Sequence, residues 1–161
     1  MGRLMDDLAF ARSLHVVAVV LWIGGVGFVT TVLLPAIRRL KTPDERVVFF
    51  DAIERRFAGQ ARATTLITGL TGFYMTQRFD LWSRFSDPHF WWMHAMAAVW
   101  LVFTLMLFVA EPLVLNRWFH TQAQARPAET FALIEWLHRF LLTISLITAL
   151  GAVAGSHGFG F

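Results

Sequence analysis

Long apolar runs alternate with short polar ones along the chain, and the pattern predicts helices of membrane-spanning length. The first span covers about residues 14–37, with Arg12 before it and Arg38 and Arg39 after it. A polar stretch follows and opens on Thr42-Pro43-Asp44-Glu45, which offers an N-cap, a proline at the first helical position and a capping-box carboxylate. Val47, Phe50, Ile53 and Phe57 then recur at helical spacing among charged residues, which predicts an amphipathic interfacial helix over about 43–59. The second span, about 61–77, is rich in Thr and Gly (Thr64, Thr65, Thr68, Thr71, Gly69, Gly72), residues that suit close helix contact in lipid. A third span covers about 90–110 and a fourth about 136–155, the latter preceded by an amphipathic start at Pro127-Ala128-Glu129. The predicted fold is therefore all-α: an up-down four-helix membrane bundle with an interfacial helix between spans 1 and 2, in one domain over residues 1–161.

Composition agrees. Of the 161 residues 57% are hydrophobic and 16% charged, with mean hydropathy +0.56, more apolar surface than a soluble domain of this size hides. No small-residue cleavage site follows the first span, so that span is expected to stay. The net charge of +3 could suggest nucleic acid, but the basic residues sit beside the apolar runs, where they report topology instead. Ten of them (Arg38, Arg39, Lys41, Arg46, Arg55, Arg56, Arg62, Arg117, Arg126, Arg139) fall on one side, against Arg3, Arg12, Arg78 and Arg84 on the other. The positive-inside rule then places both termini outward, in the periplasm of a bacterial inner membrane, with Trp82, Trp91 and Trp92 as an outer aromatic belt.

With no cysteine, disulfides, thiolate metal sites, iron–sulfur clusters and covalently attached haem are excluded, and any metal must be held by His, Met, carboxylate or backbone. Ionisable groups inside a span are costly and so point to function. His15 lies about one turn into the first span, and His94 between one and two turns into the third. Those spans run parallel, so the two imidazoles share a depth in the outer leaflet, and in an up-down bundle they are diagonal partners across the core. Two such imidazoles are what a six-coordinate b-type haem requires. Trp22 and Gly25 share the face of His15, and Ala98 with Ala95 and Ala97 leaves room for a flat macrocycle beside His94. Arg12, one turn above His15, is placed to meet a propionate.

His138, beside Arg139 near the inner end of the fourth span, is a candidate for a second haem or a quinone headgroup, or simply an interfacial histidine. His157 lies in the outer glycine-rich tail, while His89 and His120 are boundary residues. Glu111, before Pro112, is either a proton or quinone group or a boundary carboxylate. Met93, Met96 and Met75 with His94 suit Cu(I), although helical neighbours at those offsets point to different faces.

The segment His15, Trp22-Ile23-Gly24-Gly25, Phe28 and the following basic cluster resembles the first span of the copper-resistance protein D family. It is also similar to the opening of the membrane protoporphyrinogen oxidases of the HemJ type, whose third-span signature Trp92-Met93-His94-Ala95-Met96 resembles. Arg62 with the Thr/Gly-rich second span fits the same pattern. The resemblance implies a small haem-binding or copper-linked membrane protein. Those oxidases carry a Lys two residues after the third-span His, where this chain has Met96, so the resemblance does not carry their activity over.

The leading expectation is a bis-His b-type cytochrome with one haem, or two if His138 also ligates, working as an electron carrier or haem-dependent oxidoreductase near the periplasmic face. Its natural partners would be a quinone or a redox protein, with a homo-oligomer an open alternative and nucleic acid not expected. The rivals are a copper-handling protein, which would hold copper and no haem, and a cofactor-free accessory subunit, which would lose stability without its partner.

Overall fold

The computed structural model describes residues 2–115, 121–122 and 124–158, and those residues hold helices and turns with no strand. Helix α1 (Gly2–Phe28) passes through a π-helical turn (Val29–Leu33) into α2 (Leu34–Leu40). Helix α3 (Pro43–Arg78) follows, then two short 3₁₀ turns (Leu81–Ser86, Pro88–Phe90) and α4 (Trp91–Leu105). Helix α4 continues into a π-helical segment (Met106–Leu115), and α5 (Pro127–Ser156) is the last element. Among the described residues three stretches are long and apolar enough to cross a membrane: Met5–Leu40, Pro88–Leu113 and Pro127–Ser156. The segment expected as the second span is not among them.

The expected interfacial helix and second span are one unbroken helix of 36 residues, about 54 Å long at 1.5 Å per residue. The reason lies in the phase of its buried face. Val47, Phe50, Ala58, Ala61, Thr64, Thr65, Thr68 and Thr71 are all buried, and their spacing keeps one helical face through Gly59 and Gln60. Thr64, Thr68 and Thr71 manage this by donating their hydroxyls back to carbonyls one turn earlier, as Thr68 does to Thr64 at 2.8 Å and Thr71 to Ile67 at 2.6 Å, while the buried Thr65 hydroxyl has no partner among the described residues. At the start of α3 the Glu45 carboxylate accepts from the Thr42 amide and hydroxyl at 3.0 and 2.9 Å. Those bonds hold Glu45 below its ordinary range, so this cap is present at neutral pH and is lost as pH falls through the lowered value.

Both π-helical segments accompany a proline. Leu34 donates its amide to the Val29 carbonyl, a five-residue step, just ahead of Pro35, which has no amide to give. In the second segment a five-residue register points the Leu107 carbonyl at position 112, and that residue is proline. Arg62 of α3 fills the vacancy, donating Nε–H to the Leu107 carbonyl at 3.1 Å while Nη2 meets Glu111 at 2.7 Å. One guanidinium therefore ties α3 to the irregular end of α4.

Helices α1 and α3 pack along their length, α3 also meets α4 and α5, and α4 packs on α5. Two clusters fill the interior. Val29, Leu34, Ile37, Val47, Phe50, Phe131 and Ile134 form one beside the basic end of α2, and Trp22, Val26, Val99, Phe103 and Leu141 form the other. A charged pair closes the first: buried Glu135 accepts from Arg38 at 2.9 Å. Nearer the tryptophan-rich end, ring faces sit over glycines, Trp91 on Gly151, Trp92 on Gly155 and Trp100 on Gly69. A Cβ at Gly69 would lie 2.5–2.7 Å from Trp100, whose Nε1 is fixed by donation to the Thr65 carbonyl at 2.9 Å. Gly69→Val is thus expected to destabilise the protein by about 1–3 kcal/mol through overpacking. Thermal unfolding in detergent checks it, and an unshifted transition would show that Trp100 yields freely.

Candidate functional site

His15 projects from α1 onto the small-residue face of α3. Its Nδ1 lies 2.9 Å from Thr71 Oγ1, and its Cε1 rests 3.3 Å from where a Cβ on Gly72 would stand. The Thr71 hydroxyl already gives its proton to the Ile67 carbonyl, so toward His15 it can only accept. Nδ1 must therefore carry the imidazole proton, and Nε2 keeps a bare lone pair. An imidazole with one nitrogen anchored and the other free is the arrangement a metal-ligating histidine shows. An open groove of about 280 Å³ adjoins it between α1 and α3, lined by Asp7, Phe10, Ala11, Leu14, Leu70, Thr71 and Tyr74.

His94 is placed differently. It is exposed on α4, its ring edge packs on Phe85 with centroids 5.4 Å apart, and its Nε2 sits 3.0 Å from the Phe85 carbonyl. A carbonyl only accepts, so Nε2 is the protonated nitrogen and Nδ1 the free one. The structure thus directs His15 toward α3 and His94 toward the loop before α4, and shows no contact between them. As a fit to haem, His15 offers one axial ligand in a suitable tautomer, while His94 offers its second lone pair on Nδ1 unless the ring leaves Phe85.

The other residues singled out in the sequence fall apart from this pair. Arg12 is exposed. Gly25 faces Phe57, whose ring fills the space a side chain there would need, so this glycine makes room for α3. Ala98 is exposed on α4, and Met93 is buried while Met96 is exposed, so the two thioethers do not converge. No group of three or more His, Asp or Glu side chains suited to a metal occurs among the described residues. His157 ends α5 with its Nδ1 2.8 Å from the Val153 carbonyl, and His89 is exposed; His120 lies outside the described residues.

Trp22 and His138 do meet, in a second place. Both line a small cavity with Val26, Glu54, Phe57, Ala58, Ala61, Phe103, Met106, Leu107 and Leu141. The His138 ring packs edge-on against Phe50 and gives Nδ1–H to the Ile134 carbonyl at 2.9 Å. Glu54 is the residue that sequence reasoning passed over as one charge of an amphipathic helix. The signal was present: Phe50, Glu54, Phe57 and Ala61 are spaced by four, three and four, which puts a carboxylate on the apolar stripe.

No family model, curated protein or solved structure matches the chain.

Proposed function

We propose that the chain is a membrane-embedded b-type haem protein that moves electrons near the outer face of the inner membrane, with His15 Nε2 as an axial ligand. The observation that supports this is the anchored tautomer of His15: Thr71 takes Nδ1–H and leaves Nε2 as a ligand between α1 and the small-residue face of α3. In this reading α3 is the fourth crossing beside the three long apolar helices, and both termini face the periplasm by the positive-inside rule. His94 is the proposed second ligand, and it must give up the Phe85 carbonyl to present Nε2.

Bound haem would supply one-electron chemistry at its iron. The protein's own contributions are separate from that. Thr71 and Gly72 hold and seat the His15 ring, and the neighbouring groove is apolar apart from Asp7, Thr71 and Tyr74. The resemblance of the His15 and Trp22–Gly25 segment to haem- and copper-linked membrane families is consistent with this assignment.

A pyridine haemochrome count on detergent-purified protein, produced with ample haem, tests the proposal. One haem per chain is expected, since among the described residues His15 is the anchored, lone-pair-bearing ring inside the α1–α3 contact. Folded protein with no haem would overturn it. The spin state then separates the two coordination schemes: low-spin bands if His94 completes the site, high-spin if His15 ligates alone.

A further inference from the structure

The cavity between α1, α3, α4 with its π-helical continuation, and α5, to which α4 contributes only Phe103, which does not titrate, has a volume of about 40 Å³. That is room for a water or two, whose share of the liquid is about 30 Å³ each, and too little for a quinone ring or a macrocycle. Its walls are apolar except at three points. Trp22 is 3% exposed, and its Nε1–H is buried with no partner. Such an orphan donor is uncommon in an interior and calls for an acceptor. His138 has committed Nδ1–H to the Ile134 carbonyl, which leaves Nε2 as an acceptor without a donor. Glu54 supplies the third group.

Several of the charged groups nearby are already paired, while Arg56 of α3 and Arg139 of α5 are exposed. On α3 itself Asp51 pairs with Arg55 at 3.0 Å, and Arg62 is taken by Glu111 of the π-helical segment at 2.7 Å. On α5 the nearest carboxylate, Glu135, is held by Arg38 of α2. Helix α1 contributes Trp22 and Val26, neither of which titrates. Among the described residues Glu54 has no ion-pair partner; Arg62, Glu111 and Asp51 are the charged groups near enough to act on it, and it faces a cavity that holds an unused donor and an unused acceptor.

We propose that this cavity is a hydrated proton-binding site, in which a water accepts from Trp22 Nε1–H, donates to His138 Nε2 and connects both to the Glu54 carboxyl. Glu54 carboxylate takes one proton from the aqueous phase on the basic side and becomes the neutral acid; the reverse step returns it, with no other bond made or broken. The site is independent of haem at His15 and would exist in haem-free protein.

Infrared titration of the full chain in lipid nanodiscs tests it, following the carboxyl C=O band with pH in H₂O and D₂O. The expected result is a deuterium-sensitive carboxyl band, reversible with pH, that is present in the wild type and absent from Glu54→Gln. Trp22→Phe and His138→Phe are expected to keep that band, shift its midpoint and remove a buried-water O–H signal. Identical carboxyl titrations in the wild type and Glu54→Gln would overturn the assignment. A Glu54 band whose midpoint and water signal ignore both aromatic substitutions would overturn the hydrated cavity. Glu54→Asp guards against a misfolded Gln variant: it keeps a titrating band at a changed frequency if the carboxyl is the group read.

Discussion

Arg62→Ala is expected to lower the stability of the detergent-solubilised protein by about 2–3 kcal/mol. Removing one partner of a buried ion pair costs roughly 3–5 kcal/mol, and the partial exposure of this pair, 36% for Arg62 and 24% for Glu111, reduces that figure. The guanidinium also serves the Leu107 carbonyl, which Pro112 leaves without an amide in the π register, so the variant orphans an acceptor as well as a carboxylate. Adding Glu111→Gln should return part of the loss by removing the unpaired charge, a coupling of about 0.5–3 kcal/mol. Denaturant or thermal unfolding of the four proteins in the cycle checks this. If Arg62→Ala shifted stability by less than about 0.5 kcal/mol, a value ordinary for surface substitutions, the clamp on α4 would be no more than a surface contact.

The second large effect is on haem. His15→Ala is expected to abolish haem retention, and Thr71→Val to weaken it by about 10–100-fold, the usual consequence of losing the group that orients a ligating imidazole. Valine preserves the shape of threonine but cannot accept Nδ1–H, so the ring loses its fixed tautomer while the α1–α3 packing survives. Haem titration of the three proteins reads this directly. A Thr71→Val protein with wild-type affinity would mean that helix packing, not the hydroxyl, orients the ring. Arg12 makes a useful contrast. It is exposed and no hydrogen bond or ion pair joins it to His15, so Arg12→Ala should leave affinity unchanged unless a propionate reaches it.

The helical class and the three helices long and apolar enough to cross a membrane, among the described residues, were legible because membrane-length apolar runs leave few alternatives. The continuity of α3 was less so. Charged residues around Arg55 and Arg56 suggested a surface helix, but those residues are simply the exposed side of a helix whose other side keeps one buried stripe from Val47 to Thr71. His15 was legible as an intramembrane histidine, yet its orientation depends on Thr71, 56 residues away, and no local pattern encodes that contact. The expected opposition of His15 and His94 rested on matching depth and on the diagonal placement of spans 1 and 3 in an up-down bundle. Depth does not set the direction of a ring, and the Phe85 carbonyl takes hold of His94 from a loop the helical pattern did not describe. Glu54 failed for the opposite reason: the spacing was readable, but a carboxylate among many charges drew no attention until the cavity beside Trp22 and His138 isolated it.

The most direct test of His15 as the haem ligand is imidazole complementation of His15→Gly, followed by absorption spectroscopy in detergent. The expected result is no Soret band from the variant alone, and recovery of a haem spectrum when imidazole is added to occupy the space above Gly72. Full haem content and an unchanged spectrum from His15→Gly without imidazole would contradict the assignment and place the cofactor elsewhere.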